Sequence, residues 1–238
     1  MGAASGRNAR AKRPGMQRQA LIVGASTGIG HQLAQLLGER GYAVTSASRS
    51  QGGLDVTEEQ PAFPEIDGPI HALAFCPGTI LLKPFAQLKD ADFRHDLEVN
   101  FLGAVKTLRH YQRHLMAADG ASVVLFSTVA VQAGMAFHAS VASAKGAVEG
   151  LTRSLAAEWA PKVRVNALAP SLTDTPLAAR LVKTEAQREG IAKRHSLGRI
   201  GTPLDVAEAA AFLLGTQSNW ITGQVLPVDG GMANLRTP

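Results

Sequence analysis

The segment HASVASAKGAVEG, residues 138–150, places a lysine where it could take part in chemistry. Lys145 belongs to a helical pattern over residues 140–159, and Val141 lies four positions before it. At roughly 100° per residue, side chains four positions apart share one face of a helix. Val141 and Lys145 are therefore expected to face the same way, and the side chain of Val141 has no proton to donate.

Several nearby residues carry a transferable proton. His138 lies just before the helix, in a loop that we expect to line a pocket. Histidine rings have an ordinary pKa of about 6.5 and suit general acid catalysis, whereas Ser and Thr hydroxyls are weak acids. The alternative for His138 is a loop histidine bonded to the backbone. Further candidates are Thr128, Ser140, Ser143 and a water held by Lys145, whose own pKa we expect to be lowered beside an apolar valine.

A glycine-rich turn, GASTGIG, follows a strand-like apolar run and precedes a helical pattern. Glycines let the backbone turn sharply and approach a pyrophosphate, and the N-terminus of a helix offers free N–H groups and a positive dipole end. The spacing differs from the commoner G-x-G-x-x-G, and a plain tight turn is the alternative. We predict a dinucleotide site with contacts from Gly24, Ser26, Thr27, Gly28, Ile29 and Gly30.

The end of the second predicted strand bears on the choice of cofactor. An acidic residue there would accept hydrogen bonds from the ribose 2′-hydroxyl of NAD, but the residues present are Ser48, Arg49 and Ser50. An arginine suits a 2′-phosphate, and no carboxylate in this stretch repels it. We expect NADP(H) in preference to NAD(H), with Ser48 and Arg49 as contacts. A solvated surface arginine is the alternative.

Strand-like and helix-like patterns alternate along the chain. The strand patterns are QALIVGAS, YAVTSAS, HALAFCPG, SVVLFST, VRVNALAP and QVLPVDGG, and the long helical patterns cover residues 93–116 and 140–159. This alternation predicts an α/β fold, a three-layer doubly wound parallel sheet in one domain. Only six residues, RSQGGL, separate the second strand from Asp55, too few for a crossover helix. We expect that this helix is deleted and that residues 54–56 form a very short edge strand.

Composition narrows the classes of function. The chain has 238 residues, 45% of them hydrophobic, which suits one buried core. No apolar run approaches the roughly 20 residues that span a bilayer, so we expect no membrane partner. The one cysteine, Cys76, favours a reducing compartment and a cytoplasmic location. We expect residues 1–17 to be a disordered basic extension and residues 18–238 to fold.

The charge is concentrated at one end of the chain. The net charge is +5, and without Arg7, Arg10, Lys12 and Arg13 the remainder carries +1. A net charge this small on the rest of the chain does not indicate a basic surface for nucleic acid, and we expect no such partner.

These motifs resemble those of the short-chain dehydrogenase/reductase family over nearly all of residues 18–235. The resemblance rests on GASTGIG, LDV at Asp55, Cys76-Pro77-Gly78, VN at Asn100 and FST at Thr128. It continues through AKGAVEGLTRSLAAE around Lys145, VRVNALAPSLTDTP, and GRIGTPLDVAEAAAFLL with ITGQVLPVDGG. Together these motifs are highly specific.

The resemblance implies a Rossmann-fold domain, usually a homotetramer or homodimer, that moves hydride between NAD(P) and a carbonyl or alcohol of a small-molecule substrate. In the family a Tyr protonates the carbonyl oxygen, a Ser orients it, a Lys holds the ribose and lowers the pKa of the Tyr, and an Asn holds a water. Asn100 and Lys145 match, and Thr128 keeps a hydroxyl where the Ser should be. Further cofactor contacts are implied at Asp55, Val56, Pro77, Gly78, Lys145, Pro170, Thr173 and Thr175.

Val141 stands where the resemblance has the Tyr, 13 residues after Thr128. The two tyrosines of the chain, Tyr42 and Tyr111, are unconvincing substitutes because the predicted elements place them elsewhere. Milder departures are Val23, Phe75, Cys76 and Ser171, the last in place of a Gly.

Two hypotheses of different class follow. The first is an NADP-dependent oxidoreductase with an altered proton donor, in which Asn100, Thr128, Lys145 and His138 are the catalytic residues. The second is a catalytically silent NADP-binding sensor or oligomeric partner. Residues 176–200 lie where the resemblance has a substrate lid, and their six basic against two acidic residues favour an anionic substrate or, alternatively, a solvated surface.

Overall fold

The computed structural model describes residues 17–235. Its centre is a parallel sheet of six strands in the order β2-β1-β3-β4-β5-β6. Apolar runs form these strands because both faces of a parallel sheet are covered. The strands are β1 Gln19–Val23, β2 Ala43–Ala47, β3 Ala72–Phe75, β4 Ala121–Phe126, β5 Val163–Pro170 and β6 Val225–Val228.

Helices pack on both faces of the sheet, as the predicted three-layer fold requires. The α-helices within residues 17–235 are α1 Gly28–Glu39, α2 Asp90–Leu97, α3 Gly103–Ala117, α4 Ala130–Ala133, α5 Ala139–Trp159, α6 Glu185–Ala192 and α7 Pro203–Leu214. Alternate residues of each strand face opposite sides. Leu21 and Val23 pack with α3 and α5, whereas Ala20 and Ile22 pack with α1 and α7.

The predicted helix over residues 93–116 is interrupted by a π-helical turn at Glu98–Leu102, between α2 and α3. Asn100 Nδ2 donates to the carbonyl oxygen of Asp96 at 2.8 Å. In an α-helix this oxygen would accept from the backbone N–H of Asn100. The side chain thus competes for the carbonyl, and the wider turn buries Asn100. Turns of this kind are frequent at functional sites.

The connection between β2 and β3 contains no helix, but the predicted strand at residues 54–56 is wrong. The N–H of Leu54 donates to the carbonyl oxygen of Ser48 at 3.0 Å, so the segment crosses the end of β2 and does not run beside it. Leu54 and Val56 are buried in the core as a result. Lys106 on α3 stabilises this β2–β3 connection by donating to the carbonyl oxygens of residues 56, 57 and 58.

No helix within residues 17–235 is long and apolar enough to cross a membrane. The prediction for the basic extension falls, except for Gln17, outside the residues that the structure describes.

Candidate active site

A groove of about 560 Å³ lies at the carboxyl ends of the strands, where β2 and β3 flank β1 on opposite sides. This switch point is where open parallel sheets bind nucleotides. Thirteen of the predicted cofactor contacts line the groove: Gly24, Ser26, Thr27, Gly28, Ile29, Gly30, Ser48, Arg49, Asp55, Val56, Pro77, Gly78 and Thr175.

The glycine turn is shaped by close backbone approach. Gly24 and Gly28 have φ angles of 82° and 59°, in the region that favours glycine. A Cβ on Gly30 would lie 2.3 Å from the carbonyl oxygen of Gly24, so only glycine fits at this position in the first turn of α1. Thr27 caps α1 without a side-chain hydrogen bond, which leaves the N–H groups of the first turn available to an anion. The turn therefore fits a dinucleotide pyrophosphate.

Opposite charges line the nucleotide end of the groove. Arg49 is exposed, and within residues 17–235 it forms no ion pair. Asp55 accepts hydrogen bonds from the hydroxyl and the N–H of Thr57, at 2.7 and 2.9 Å. These bonds lower the pKa of Asp55 and keep it ionised and oriented. The guanidinium of Arg49 is free to bind an anionic group.

A second cavity, of about 400 Å³, adjoins the groove, and both are lined by Ile29, Cys76, Gly78, Thr79, Thr175 and Leu177. Its wall is largely apolar, with Ile80, Leu82, Met135, Leu181 and Ile191 among its residues. The predicted residues Thr128, His138, Val141, Lys145, Pro170 and Thr173 line this cavity. Lys145, Pro170 and Thr173 thus lie on the wall of the cavity and not in the groove.

Lys145 and Asn100 meet beside Gly78, at the junction of the groove and the cavity. A Cβ on Gly78 would lie 3.4 Å from Asn100 Oδ1 and 3.6 Å from Lys145 Nζ. Lys145 Nζ also donates to the carbonyl oxygen of Phe126, the last residue of β4, at 2.8 Å. Burial lowers the pKa of Lys145 to about 8, as expected from its apolar surroundings. The junction therefore holds an amine that can exchange a proton near neutral pH.

The junction contains a polar network that the sequence does not indicate. The hydroxyl of Thr79 donates to Asp96 Oδ1 at 2.6 Å and accepts from Asn100 Nδ2 at 2.7 Å. Asp96 is fully buried, and its Oδ2 atom has no hydrogen-bond partner among residues 17–235. The surrounding residues FRHDLEVN read as an ordinary polar helix, so no signal marks Asp96 as buried.

His138 lines the cavity, and its Nδ1 atom is 2.7 Å from the carbonyl oxygen of Ala136. This is the backbone-bonded arrangement named above as its alternative, although the ring still borders the cavity. Neither tyrosine lines the cavity. Tyr111 donates to the carbonyl oxygen of Pro64 at 2.7 Å in the core, and Tyr42 lies beside Arg18.

A second polar pair, Ser171 and His195, also borders the cavity. Ser171 Oγ and His195 Nε2 are 2.9 Å apart. The sequence marks Ser171 only as a departure from the family, and nothing marks His195. The two residues lie 24 positions apart, and only the packing of the segment after α6 against the end of β5 brings them together.

Three of the six basic residues of the segment 176–200 bind other groups of the protein. Arg188 pairs with Asp174 and Arg199 with Asp205, each at 2.7 Å. Arg180 bonds the carbonyl oxygen of Ile80, and Arg194 borders the cavity. The segment bounds the cavity through the turn Pro176–Leu181 and through α6, and it offers the cavity an apolar surface more than a charged one.

Comparison with known proteins finds relatives over almost the whole chain. Residues 55–233 match the family model described as enoyl-(acyl carrier protein) reductase. Cis-4-hydroxycyclohexanecarboxylate dehydrogenase of Sinomonas cyclohexanicum is 34% identical, over 90% of this chain and 96% of its own length. Carbonyl reductase family member 4 of Danio rerio is 35% identical, over 92% of this chain and 100% of its own length.

The structure of ElxO with NADP bound superposes with a TM-score of 0.82 and 28% identity, over 92% of this chain and 100% of that chain. The match therefore includes the sheet, both helical layers and the groove. With the family match over residues 55–233, these findings establish that the chain belongs to the short-chain dehydrogenase/reductase family.

Proposed function

We propose that the protein is an NADP-dependent oxidoreductase that interconverts a carbonyl and an alcohol on a small apolar molecule. The observation that carries this proposal is the junction at Gly78, where the groove meets the cavity beside Lys145 and Asn100. A cofactor that enters from the groove and a substrate that enters from the cavity would meet there.

The groove residues would hold the cofactor as follows. The N–H groups at the start of α1 would bind the pyrophosphate, Asp55 the adenine end and Lys145 the ribose next to the nicotinamide. When bound, the nicotinamide ring supplies or accepts hydride. Arg49 supports the preference for NADP, because a guanidinium binds a 2′-phosphate through charge-assisted hydrogen bonds.

The apolar lining of the cavity supports a substrate without charge around its reacting carbon. Cyclic ketones are the class that we would test first, since one relative is named for the dehydrogenation of a hydroxycyclohexane carboxylate. Thr128 would orient the carbonyl oxygen. Val141, in the position that the family resemblance gives to Tyr, would only shape the cavity, so the proton donor must differ.

A catalytically silent NADP-binding protein is the second candidate, and Val141 is the observation that favours it. Loss of a general acid typically slows a reaction by about 10²–10⁴-fold, which slows turnover without necessarily abolishing it. Homo-oligomerisation as a tetramer or dimer, a cytoplasmic location, and the absence of nucleic-acid and membrane partners are part of both proposals and rest on the sequence.

Binding and turnover must be measured together. We expect tight NADPH binding by calorimetry, weaker NADH binding, and slow loss of NADPH absorbance with cyclohexanone, 4-oxocyclohexanecarboxylate or 2-decalone. Val141→Tyr should raise the turnover, and Val148→Ile, at a buried position elsewhere on α5, is the matched control. NADPH binding without turnover in the native protein, together with turnover in Val141→Tyr, would favour the silent sensor. Absence of NADPH binding would contradict both candidates.

A further inference from the structure

The Ser171–His195 pair has the features of an organised proton-transfer unit. His195 is only 3% exposed, yet both residues border the cavity. His195 Nδ1 is 2.9 Å from the carbonyl oxygen of Ile191 on α6, and a carbonyl can only accept. Nδ1 therefore carries a hydrogen, and Nε2 is left to exchange a proton with the hydroxyl of Ser171.

Both charge states of the ring fit this arrangement. A charged ring donates through Nδ1 to Ile191 and through Nε2 to Ser171 Oγ, which leaves the hydroxyl hydrogen of Ser171 free to point into the cavity. A neutral ring accepts the hydroxyl hydrogen of Ser171 at Nε2. The pair can thus deliver a proton to the cavity in one direction of a reaction and take one up in the other.

Ser171 and Thr128 line the same cavity, and each lies just past the carboxyl end of a strand. Thr128 follows β4 and Ser171 follows β5, and these strands pair in parallel up to Phe126 and Leu168. The ladder continues past both ends, because the N–H of Val129 donates to the carbonyl oxygen of Pro170 at 3.2 Å. Thr128 and Ser171 are the chain neighbours of the two residues that this bond joins, so both lie where β4 and β5 end at the cavity.

We propose that Ser171 protonates the substrate carbonyl oxygen and that His195 restores the proton of Ser171, in place of the missing tyrosine. The inference rests on the proposed oxidoreductase function. In the reduction, a bound nicotinamide would supply the hydride for the new C–H bond. The Ser171 O–H bond breaks as the substrate O–H bond forms, and Ser171 Oγ takes the hydrogen of His195 Nε2. The neutral ring then takes up a proton from the solvent, so the reduction consumes one hydride and one proton overall.

Three of the other candidate donors, Ser143, Ser140 and His138, are less well arranged. The hydroxyl of Ser143 is exposed and donates to the carbonyl oxygen of Ala139 at 2.7 Å. Ser140 is buried, lies outside the cavity lining, and its Oγ atom has no partner among residues 17–235. His138 borders the cavity, but its Nδ1 atom faces the carbonyl oxygen of Ala136, and no side-chain hydroxyl among residues 17–235 is bonded to its ring.

Single-turnover reduction of cyclohexanone under saturating NADPH tests the inference. Ser171→Ala and His195→Gln should each slow hydride transfer by about 10²-fold, the low end of the range for a general acid, and should leave the Kd of NADPH unchanged. Ser171→Thr should keep most of the rate, since it keeps the hydroxyl. Imidazole in the buffer should partly restore His195→Ala, which a merely structural role of the ring would not allow. Matched controls are Ser154→Ala and His110→Gln, both at exposed sites.

A second readout does not depend on turnover. In the protein without cofactor, NMR can follow the side-chain nitrogen resonances of the seven histidines, and the spectrum of His195→Gln identifies those of His195. Cyclohexanone should shift the His195 resonances. The shift should disappear in Ser171→Ala.

Unchanged hydride transfer in Ser171→Ala and His195→Gln, with an active native protein, would overturn this inference and leave the oxidoreductase function intact. So would a loss of rate confined to His138→Gln. Absence of turnover in the native protein would overturn both together.

Discussion

Val141 and Lys145 lie one turn apart on α5, and both are buried on the wall of the same cavity, with 5% and 7% of their surface exposed. An apolar side chain in this position keeps water and hydrogen-bond partners away from the ammonium of Lys145. The only hydrogen bond that Lys145 makes among residues 17–235 is to the carbonyl oxygen of Phe126. The consequence is an amine whose charged form is poorly solvated.

The stability of the protein should rise with pH because of Lys145. Burial lowers the pKa of Lys145 from 10.5 to about 8. Between these values the unfolded chain holds a proton on this lysine that the folded chain has released, so the free energy of unfolding increases with pH across that window. Below pH 8 Lys145 is charged in both the folded and the unfolded chain, so burial of the ammonium lowers the free energy of unfolding by a constant amount. Urea denaturation at a series of pH values should show this rise in the native protein.

Lys145→Met should lack the rise, and Lys162→Met, at an exposed lysine, should retain it. An equal rise in the native protein and in Lys145→Met would show that other groups cause it.

Gly30→Ala should destabilise the protein and weaken cofactor binding. The new Cβ would lie 2.3 Å from the carbonyl oxygen of Gly24 and 3.1 Å from Cys76 Cβ. Because the nearest atom is backbone, the turn itself must move, and overpacking of this kind costs about 1–3 kcal/mol. Thermal unfolding and NADPH calorimetry measure the two effects.

Gly38→Ala on the same helix is the control, since nothing lies within 4 Å of its new Cβ. It should stabilise the protein by about 0.4–1 kcal/mol by restricting the unfolded chain. Equal effects of the two substitutions would mean that the contact at Gly24 is unimportant.

Arg49→Ala should remove the preference for NADPH over NADH. Hydrogen bonds to charged groups contribute about 1.5–3 kcal/mol, so the Kd of NADPH should rise by about tenfold or more. The Kd of NADH should change little, because its ribose has no phosphate. Arg109→Ala, at an exposed site on α3, should alter neither value. Equal weakening of both cofactors by Arg49→Ala would place Arg49 outside the 2′-phosphate site.

Thr79 and Asp96 should be energetically coupled. Thr79→Val leaves the buried carboxylate of Asp96 without its hydrogen bond, which costs about 1–3 kcal/mol. Asp96→Leu removes the orphaned charge, so the double variant should lose less stability than the sum of the single variants, by about 0.5–3 kcal/mol. Denaturant unfolding of all four proteins measures the coupling. Thr152→Val on α5, combined with Thr79→Val, should give additive losses.

The sheet and the cofactor groove could be predicted because their signals are local. Apolar runs that end in glycine mark strands such as β1, and the turn at Gly24 needs only neighbouring residues to be recognised. The prediction of an edge strand at residues 54–56 was wrong because a short alternating segment can either pair with β2 or fold across its end. The turn that begins at Ser48 directs the segment across the end of β2.

The wall of the cavity could be predicted only in part. The helix pattern and the loop before it indicate Lys145 and His138, and the family resemblance adds Thr128, which lies 13 residues before Val141. Asp96 and His195 were missed because their polarity is ordinary for the segments that contain them, and only tertiary packing buries them.

In the connection after β2, one side chain, that of Lys106, donates to the carbonyl oxygens of residues 56, 57 and 58. The sheet does not need that segment, because β1 is paired on both sides without it. Changes in the exposed part of this segment, residues 51–53, would therefore leave the strand pairing intact. The border of the groove next to Arg49 can thus vary in evolution separately from the sheet.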